Sequence, residues 1–203
     1  IVLAFVGIYI VRTVVSVAVQ GVSDGSGMQY VKEWAAMFKN PMMWLNIAAL
    51  PINYFFVFIA FFGEEYGWRY YLQPVLQKRF GLRAGVIILG VVWGLWHIPD
   101  DLFYYTQTSG IQMIFAQQIT CISLGIFFAY AYMKTQNIWV PVCLHYLNNN
   151  LIPIISGTFS ADVLENQTVS WKDLPVALVL NGLCFGFFLL ADVFKKKEVQ
   201  EEE

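Results

Sequence analysis

Residues 54–69 have the sequence Tyr-Phe-Phe-Val-Phe-Ile-Ala-Phe-Phe-Gly-Glu-Glu-Tyr-Gly-Trp-Arg, a largely apolar run that leads directly into two carboxylates and an arginine. Such a run is typical of a helix that lies in a bilayer or in a protein interior. Glu64, Glu65 and Arg69 therefore occupy positions where ionised groups are costly, and charged groups in membrane spans are usually functional. The stretch predicts a membrane protein with a polar site inside it.

The composition of the whole chain agrees with this prediction. Of its 203 residues, 58% are hydrophobic and 13% are charged, against about 25% charged residues in an average soluble domain. The 12 basic and 14 acidic residues nearly cancel, so the chain lacks the basic surface that nucleic-acid binding requires. We expect the lipid bilayer as a partner and no nucleic acid.

About six apolar stretches approach the roughly 20 residues that a spanning helix requires. A helix forms the hydrogen bonds of its own backbone groups in lipid, and no stretch shows the alternation of polar and apolar residues that is typical of a barrel strand. We therefore expect an all-α, polytopic transmembrane helix bundle that forms a single domain over residues 1–203. The expected spans are Ile1–Gln20, Met42–Phe62, Ala84–Ile98, Ile111–Met133, Ile138–Pro153 and Leu174–Phe194.

The ends and the loops of the chain give an expected orientation. The sequence begins at Ile1 inside an apolar run, without an initiator Met, which favours a truncated N-terminus. Basic residues are concentrated in residues 73–83, at Lys134 and in residues 195–197, whereas the alternate loops carry little net positive charge. Because cytoplasmic loops are enriched in Lys and Arg, we expect residues 195–203 to form a cytoplasmic tail.

Helical geometry separates the roles of the two adjacent carboxylates. Residues four apart share a helix face, whereas neighbours point about 100° apart. Glu65 is therefore expected to pair with Arg69, and Glu64 points toward the face that it shares with Trp68. A carboxylate beside another in a poorly solvated site suits general base catalysis. We assign Glu64 as the base and the other two as its support; the alternative is a charge cluster that snorkels to water at a helix end.

Both histidines of the chain lie in apolar segments. His97 comes just before Ile98-Pro99, where the proline predicts a helix boundary. His145 and Asn149 are four apart, so two hydrogen-bonding groups share one face. A single histidine of this kind is most often a packed residue with a satisfied partner. Both histidines lie in apolar segments, however, and together with the charges described above they predict a polar cavity between the second, third and fifth spans.

These residues fall into three motifs in chain order: Glu64-Glu65-x-x-x-Arg69, Trp93-x-x-x-His97 and His145-x-x-x-Asn149. The set resembles the motifs of the CAAX-protease and bacteriocin-processing (abortive-infection) family of intramembrane proteases, which includes the endopeptidase that trims prenylated CAAX proteins. One position departs from the family pattern, since Trp93 stands where the family usually has Phe. The resemblance implies an intramembrane endopeptidase that cuts a membrane-associated peptide or protein, and we expect a bacterial plasma membrane.

The resemblance also implies a role for each polar residue. Glu64 with His97 would activate a water molecule, and His145 with Asn149 would stabilise the oxyanion of the tetrahedral intermediate. Glu65 and Arg69, already assigned as support, would hold these groups in place. Two donors one helical turn apart suit an oxyanion hole, and a carboxylate near an imidazole suits general acid–base catalysis.

The sequence leaves the metal question open. Glu64, His97 and His145 are candidate ligands for zinc, which many hydrolases bind through two His and one carboxylate. The chain has no His-Glu-x-x-His pattern, and we favour a glutamate mechanism that requires no cofactor, because two ligating histidines would leave few groups to stabilise the oxyanion.

Two other functions use the same residues. In a proton- or ion-coupled membrane carrier, Glu64, His97 and His145 would form a proton relay. In a catalytically inactive membrane scaffold they would be relics. A peptidase also requires that Glu64 and His97 reach the same depth, so we expect the second span to extend over about Asn53–Gln77, with Glu64 near its middle.

Overall fold

The computed structural model describes residues 1–24, 27–156 and 161–195, and within these ranges the chain is helical, with no strand. The expected all-α fold is confirmed. The α-helices are α1 (Val2–Asp24), α2 (Gly27–Met37), α3 (Pro41–Glu65), α4 (Gln73–Phe80), α5 (Leu82–Trp96), α6 (Ile98–Phe103), α7 (Gly110–Thr135), α8 (Trp139–Ser156), α9 (Ala161–Glu165) and α10 (Asp173–Cys184). A π-helical segment, Tyr66–Leu72, joins α3 to α4, and two 3-10 turns follow α10.

Four helical stretches of the described chain are long and apolar enough to cross a membrane: Val2–Val19, Pro41–Phe80, Leu82–Phe103 and Gly110–Thr135. They correspond to the first four expected spans. Of the last two, α8 is not among these stretches, and α10 is a shorter apolar helix of 12 residues that ends at Cys184 rather than at Phe194. Large apolar side chains cover their outer surface, among them Phe55 and Phe56, each 78% exposed. An outer surface of this kind is stable in lipid rather than in water. The chain is an integral membrane protein.

The second stretch is one continuous helix from Pro41 to Phe80. Asn40 starts it, because its side chain accepts a hydrogen bond from the backbone N–H of Met42, and Pro41 suits the first helical position. With 40 residues the helix is about 60 Å long, roughly twice the hydrocarbon thickness of a bilayer. Glu64 and Glu65 lie in its interior rather than at its end, as the longer expected span requires.

The third span begins at a tight turn and packs very closely on α7. Gly81, with φ of 89°, ends α4 in a conformation that favours glycine. On α5, a Cβ added to Gly90 would lie 2.6 Å from the Cα of Ile122, and one added to Gly94 would lie 2.6 Å from the Gln118 side chain. Small residues four apart let membrane helices approach closely, so these glycines bring His97 at the end of α5 next to α7.

Candidate active site

Three ionisable side chains form a buried triad: Glu65, Arg69 and His145. Glu65 Oε2 accepts from Arg69 Nε at 2.8 Å, and its Oε1 accepts from His145 Nδ1 at 2.9 Å. The side chains of Glu65 and Arg69 are fully buried and that of His145 is 3% exposed. The triad therefore ties the second span to α8 through one carboxylate.

Two aromatic rings and a backbone carbonyl oxygen surround the buried guanidinium of Arg69. Its guanidinium carbon lies 5.3 Å from the Trp93 ring centroid and 5.6 Å from that of Phe128, within the range of cation–π attraction. Its Nη1 is 3.5 Å from the carbonyl oxygen of Gly125 on α7. Arg69 itself lies in the π-helical segment, a geometry that is rare and often found at functional sites.

His97 is oriented by the helix that it ends. Its Nδ1 lies 2.8 Å from the backbone carbonyl oxygen of Trp93. A carbonyl oxygen can only accept, so the proton is on Nδ1 and the neutral ring presents the lone pair of Nε2. In its neutral form, His97 can therefore take a proton from water through Nε2.

His145 is fixed in the same way by a different partner. Its Nδ1 proton is donated to Glu65, so Nε2 donates a hydrogen bond only when the ring carries a second proton. The oxyanion role expected for His145 therefore requires the imidazolium form, with its charge facing the Glu65 carboxylate at 2.9 Å.

Asn149 is oriented by residues that the sequence did not point to. Its Oδ1 accepts from Nδ2 of Asn148 at 2.8 Å, and Asn148 Oδ1 in turn accepts from the hydroxyl of Tyr9 on α1. With its oxygen engaged, the Asn149 amide keeps its N–H donors for another group. The run Asn148-Asn149-Asn150 in an apolar segment was the one signal in the sequence for this network.

His97, His145 and Asn149 line one cavity, of about 380 Å³, which we call the histidine cavity. Its walls come from α5, α7, α8 and the segments around Tyr105 and Gln167. The third and fifth expected spans supply wall residues, but α7 rather than α3 completes the wall, with Gln117 and Cys121. The second span meets the other two behind the cavity, through Glu65 and Arg69. The close glycine packing described above places α7 against the end of α5, where the second span was expected.

Glu64 lies beside this cavity rather than on its wall. Its side chain is half-buried, and its buried Oε2 has no hydrogen-bond partner among the described residues. Its carboxylate is close enough to the Cys121 thiol, a wall residue, for an electrostatic interaction between the two. No hydrogen bond connects Glu64 to His97, so the structure brings the expected base near the cavity without joining it to the histidine.

Two further residues lie near His97, in the segment Pro99–Gly110, to which the sequence assigned no catalytic role. Asp101, one helical turn beyond His97, is fully buried, and both carboxylate oxygens lack a partner among the described residues. Tyr105 lines the cavity, and burial, with the nearby Asp100 and Asp101 carboxylates, raises its pKa to about 12. Its hydroxyl therefore remains a donor at physiological pH.

The residues proposed for zinc do not form a zinc site in this arrangement. Among the described residues, no three His, Cys, Asp or Glu side chains lie close enough together to hold a metal ion. Glu64 is outside the cavity wall that carries His97 and His145. We derive no catalytic step through a metal.

A larger cavity, of about 470 Å³, adjoins the histidine cavity between α3 and α8. The two share Asn149, Pro153 and Leu164. Four amide side chains line the larger one, which we call the amide cavity: Asn46, Asn53, Asn149 and Asn150. Amides both donate and accept hydrogen bonds, as an extended peptide backbone requires.

Comparisons with known proteins agree with the motif analysis. Residues 46–151, about half of the chain, match a family described as Rce1-like, type II CAAX prenyl endopeptidase Rce1-like. A curated relative, CAAX prenyl protease 2 of Methanococcus maripaludis, is 27% identical over 125 residues. This match covers 57% of the chain and 45% of the relative, so the chain spans less than half of that protein. No solved structure matches the chain.

Proposed function

Because the chain belongs to the Rce1-like family of type II CAAX prenyl endopeptidases, we propose that it is an intramembrane endopeptidase. The observation that carries the proposal is the meeting of His97, His145 and Asn149 at one cavity, with the buried triad behind it. All the proposed catalytic residues fall within the part of the chain that matches the family.

The proposed reaction is the addition of water to a peptide carbonyl. A water molecule between Glu64 and His97 loses its proton to one of them as its oxygen bonds to the carbonyl carbon. The N–H donors of Asn149, with the imidazolium of His145, stabilise the negative oxygen that forms. The proton taken from water then passes to the leaving nitrogen as the carbon–nitrogen bond breaks, which restores the site.

Glu65 and Arg69 support this reaction without touching the substrate. Glu65 fixes the ring of His145, and Arg69 neutralises the Glu65 carboxylate in an apolar setting. The amide cavity would hold the extended peptide beside the scissile bond, because it adjoins the catalytic donors at Asn149.

The substrate class that we propose is a prenylated peptide that ends three residues after the modified cysteine. The family description and the name of the relative support this proposal. The basic loops would place the C-terminal tail in the cytoplasm, and a bacterial plasma membrane is the proposed location.

The test uses the whole chain in phospholipid nanodiscs with a farnesylated peptide, and mass spectrometry detects the released tripeptide. We expect cleavage by the wild type and loss of cleavage in Glu64→Gln with unchanged thermal unfolding. Glu33→Gln, which removes an exposed acid on α2, is the matched control and should cleave normally. Normal cleavage by Glu64→Gln would contradict the mechanism, and no cleavage of farnesylated or unmodified peptide by the wild type would contradict the function.

A further inference from the structure

Arg12, in the membrane-spanning stretch of α1, lies outside the residues that match the family. Its Nε donates to Oδ1 of Asn181 on α10 at 3.0 Å, and Asn181 is 2% exposed. The Tyr9 ring centroid lies 5.9 Å from its guanidinium carbon. Neither partner carries a negative charge, and none of the ion pairs formed within the described residues includes Arg12. A cation this costly in a span usually has a specific anionic partner.

Arg12 opens onto a cavity of about 380 Å³ between α1 and α10, which we call the basic cavity. Its polar wall consists of Arg12, Ser16, Ser170, Lys172 and Asp173. The Asp173 carboxylate already accepts from the backbone N–H of Ser170 at 2.8 Å. Among the described lining residues, two cations thus face one carboxylate, so this part of the cavity wall has a net positive charge and two hydroxyl groups.

An apolar cleft adjoins the basic cavity along α1. It has a volume of about 390 Å³, its lining residues are Val14, Val15, Ala18 and Val19, and it shares Val19 with the basic cavity. Several of these valines are well exposed on the outer surface of the helix. A positive polar cavity with an apolar cleft beside it matches the two halves of an anionic phospholipid.

We propose that the basic cavity binds a phosphate group, with Arg12 and Lys172 as its cationic partners. The guanidinium offers paired N–H donors to phosphate oxygens, the ammonium adds a point charge, and the Ser16 and Ser170 hydroxyls complete the set. Basic pockets between membrane helices bind lipid head groups in this way. The apolar cleft at Val14–Val19 receives an acyl chain, which makes a phospholipid the fitting source of the phosphate.

The experiment measures lipid binding to the whole chain by native mass spectrometry and in nanodiscs. The probes are phosphatidylglycerol, zwitterionic phosphatidylcholine and inorganic phosphate. The variants are Arg12→Gln, Lys172→Gln and Asp173→Asn, and Lys78→Gln, an exposed lysine outside the cavity, is the matched control. Because Arg12→Gln also alters the contact with Asn181, Lys172→Gln, just before α10, and Asp173→Asn, at its first residue, test the site without changing that contact.

We expect the wild type to retain one phosphatidylglycerol more tightly than phosphatidylcholine, and Arg12→Gln to weaken its binding about tenfold or more, as the loss of a charge-assisted hydrogen bond implies. Lys172→Gln should weaken it less and Asp173→Asn should strengthen it, with Lys78→Gln unchanged. Competition by millimolar inorganic phosphate would assign the site to free phosphate. Equal binding of both lipids without phosphate competition, or unchanged binding in Lys172→Gln and Asp173→Asn, would overturn the proposal.

Discussion

Glu64 and Glu65 are neighbours in the sequence, yet their surroundings differ completely. Glu65 is fully buried, and both of its oxygens are bonded, one to Arg69 and one to His145. Glu64 is half-buried, and one of its oxygens has no partner in the described part of the chain. A rotation of about 100° between adjacent helical residues is enough to separate them. The paired carboxylate therefore ties the second span to α8, and the unpaired one keeps an oxygen that has no partner among the described residues.

The largest expected effect is a loss of stability when the ion pair between Glu65 and Arg69 is broken. Arg69→Met removes the cation while leaving the Glu65 carboxylate buried, so the free energy of unfolding should fall by about 3–5 kcal/mol. Denaturant unfolding in detergent micelles measures it. Arg79→Met, at an exposed position of α4, is the control and should change it by less than about 0.5 kcal/mol. A loss of under 1 kcal/mol in Arg69→Met would mean that Glu65 is not held as a charged partner.

The second-largest expected effect is that of removing Asn149, a proposed oxyanion donor. Asn149→Ala should lower kcat by about 10²- to 10³-fold, the range measured for a lost oxyanion donor. Steady-state cleavage of the farnesylated peptide separates kcat from KM, and KM should change little. A rise in KM with unchanged kcat would make Asn149 a substrate-binding residue instead.

A smaller effect is expected from the network that orients Asn149. Tyr9→Phe removes the hydroxyl that donates to Asn148, which frees the Asn148 amide to turn and release Asn149. We expect a fall in kcat of about fivefold, equivalent to one hydrogen bond of about 1 kcal/mol. Tyr66→Phe, at an exposed ring on the π-helical segment, is the control. Identical kcat values for both variants would show that the Tyr9 hydroxyl does not help to orient Asn149.

The smallest expected effect is that of metal removal. Since the described residues contain no group of three possible ligands, cleavage should remain within about twofold of its initial rate after dialysis against a chelator, on the glutamate mechanism. Elemental analysis of the dialysed protein checks that metal removal is complete. If the chelator abolished cleavage and added zinc restored it, Glu64 would be a metal ligand rather than a general base.

Local features of this site could be predicted from the sequence. The Glu65–Arg69 pair follows from a spacing of four, and the depth of Glu64 follows from the apolar residues on both sides of it. Both depend only on the geometry of one helix. The three motifs also indicated the family, because their order and spacing are visible in the sequence whether or not the packing of the helices is known.

Contacts between distant helices could not be predicted in the same way. His145 meets Glu65 across 80 positions, and Tyr9 meets Asn148 across 139. Such pairs depend on how close the helices approach, which the glycines of α5 set by packing on α7 rather than on α3. For the same reason the sequence placed the cavity wall on the second span, and nothing in it indicated a π-helical segment at Arg69.

The most direct test of the division between the two carboxylates compares Glu64→Gln with Glu65→Gln in the same preparation. Each variant is measured for single-turnover cleavage and for the free energy of unfolding. We predict that Glu64→Gln loses about 10²- to 10⁴-fold in rate with its stability intact, and that Glu65→Gln loses about 3–5 kcal/mol of stability. A stable but inactive Glu65→Gln beside an active Glu64→Gln would contradict the account.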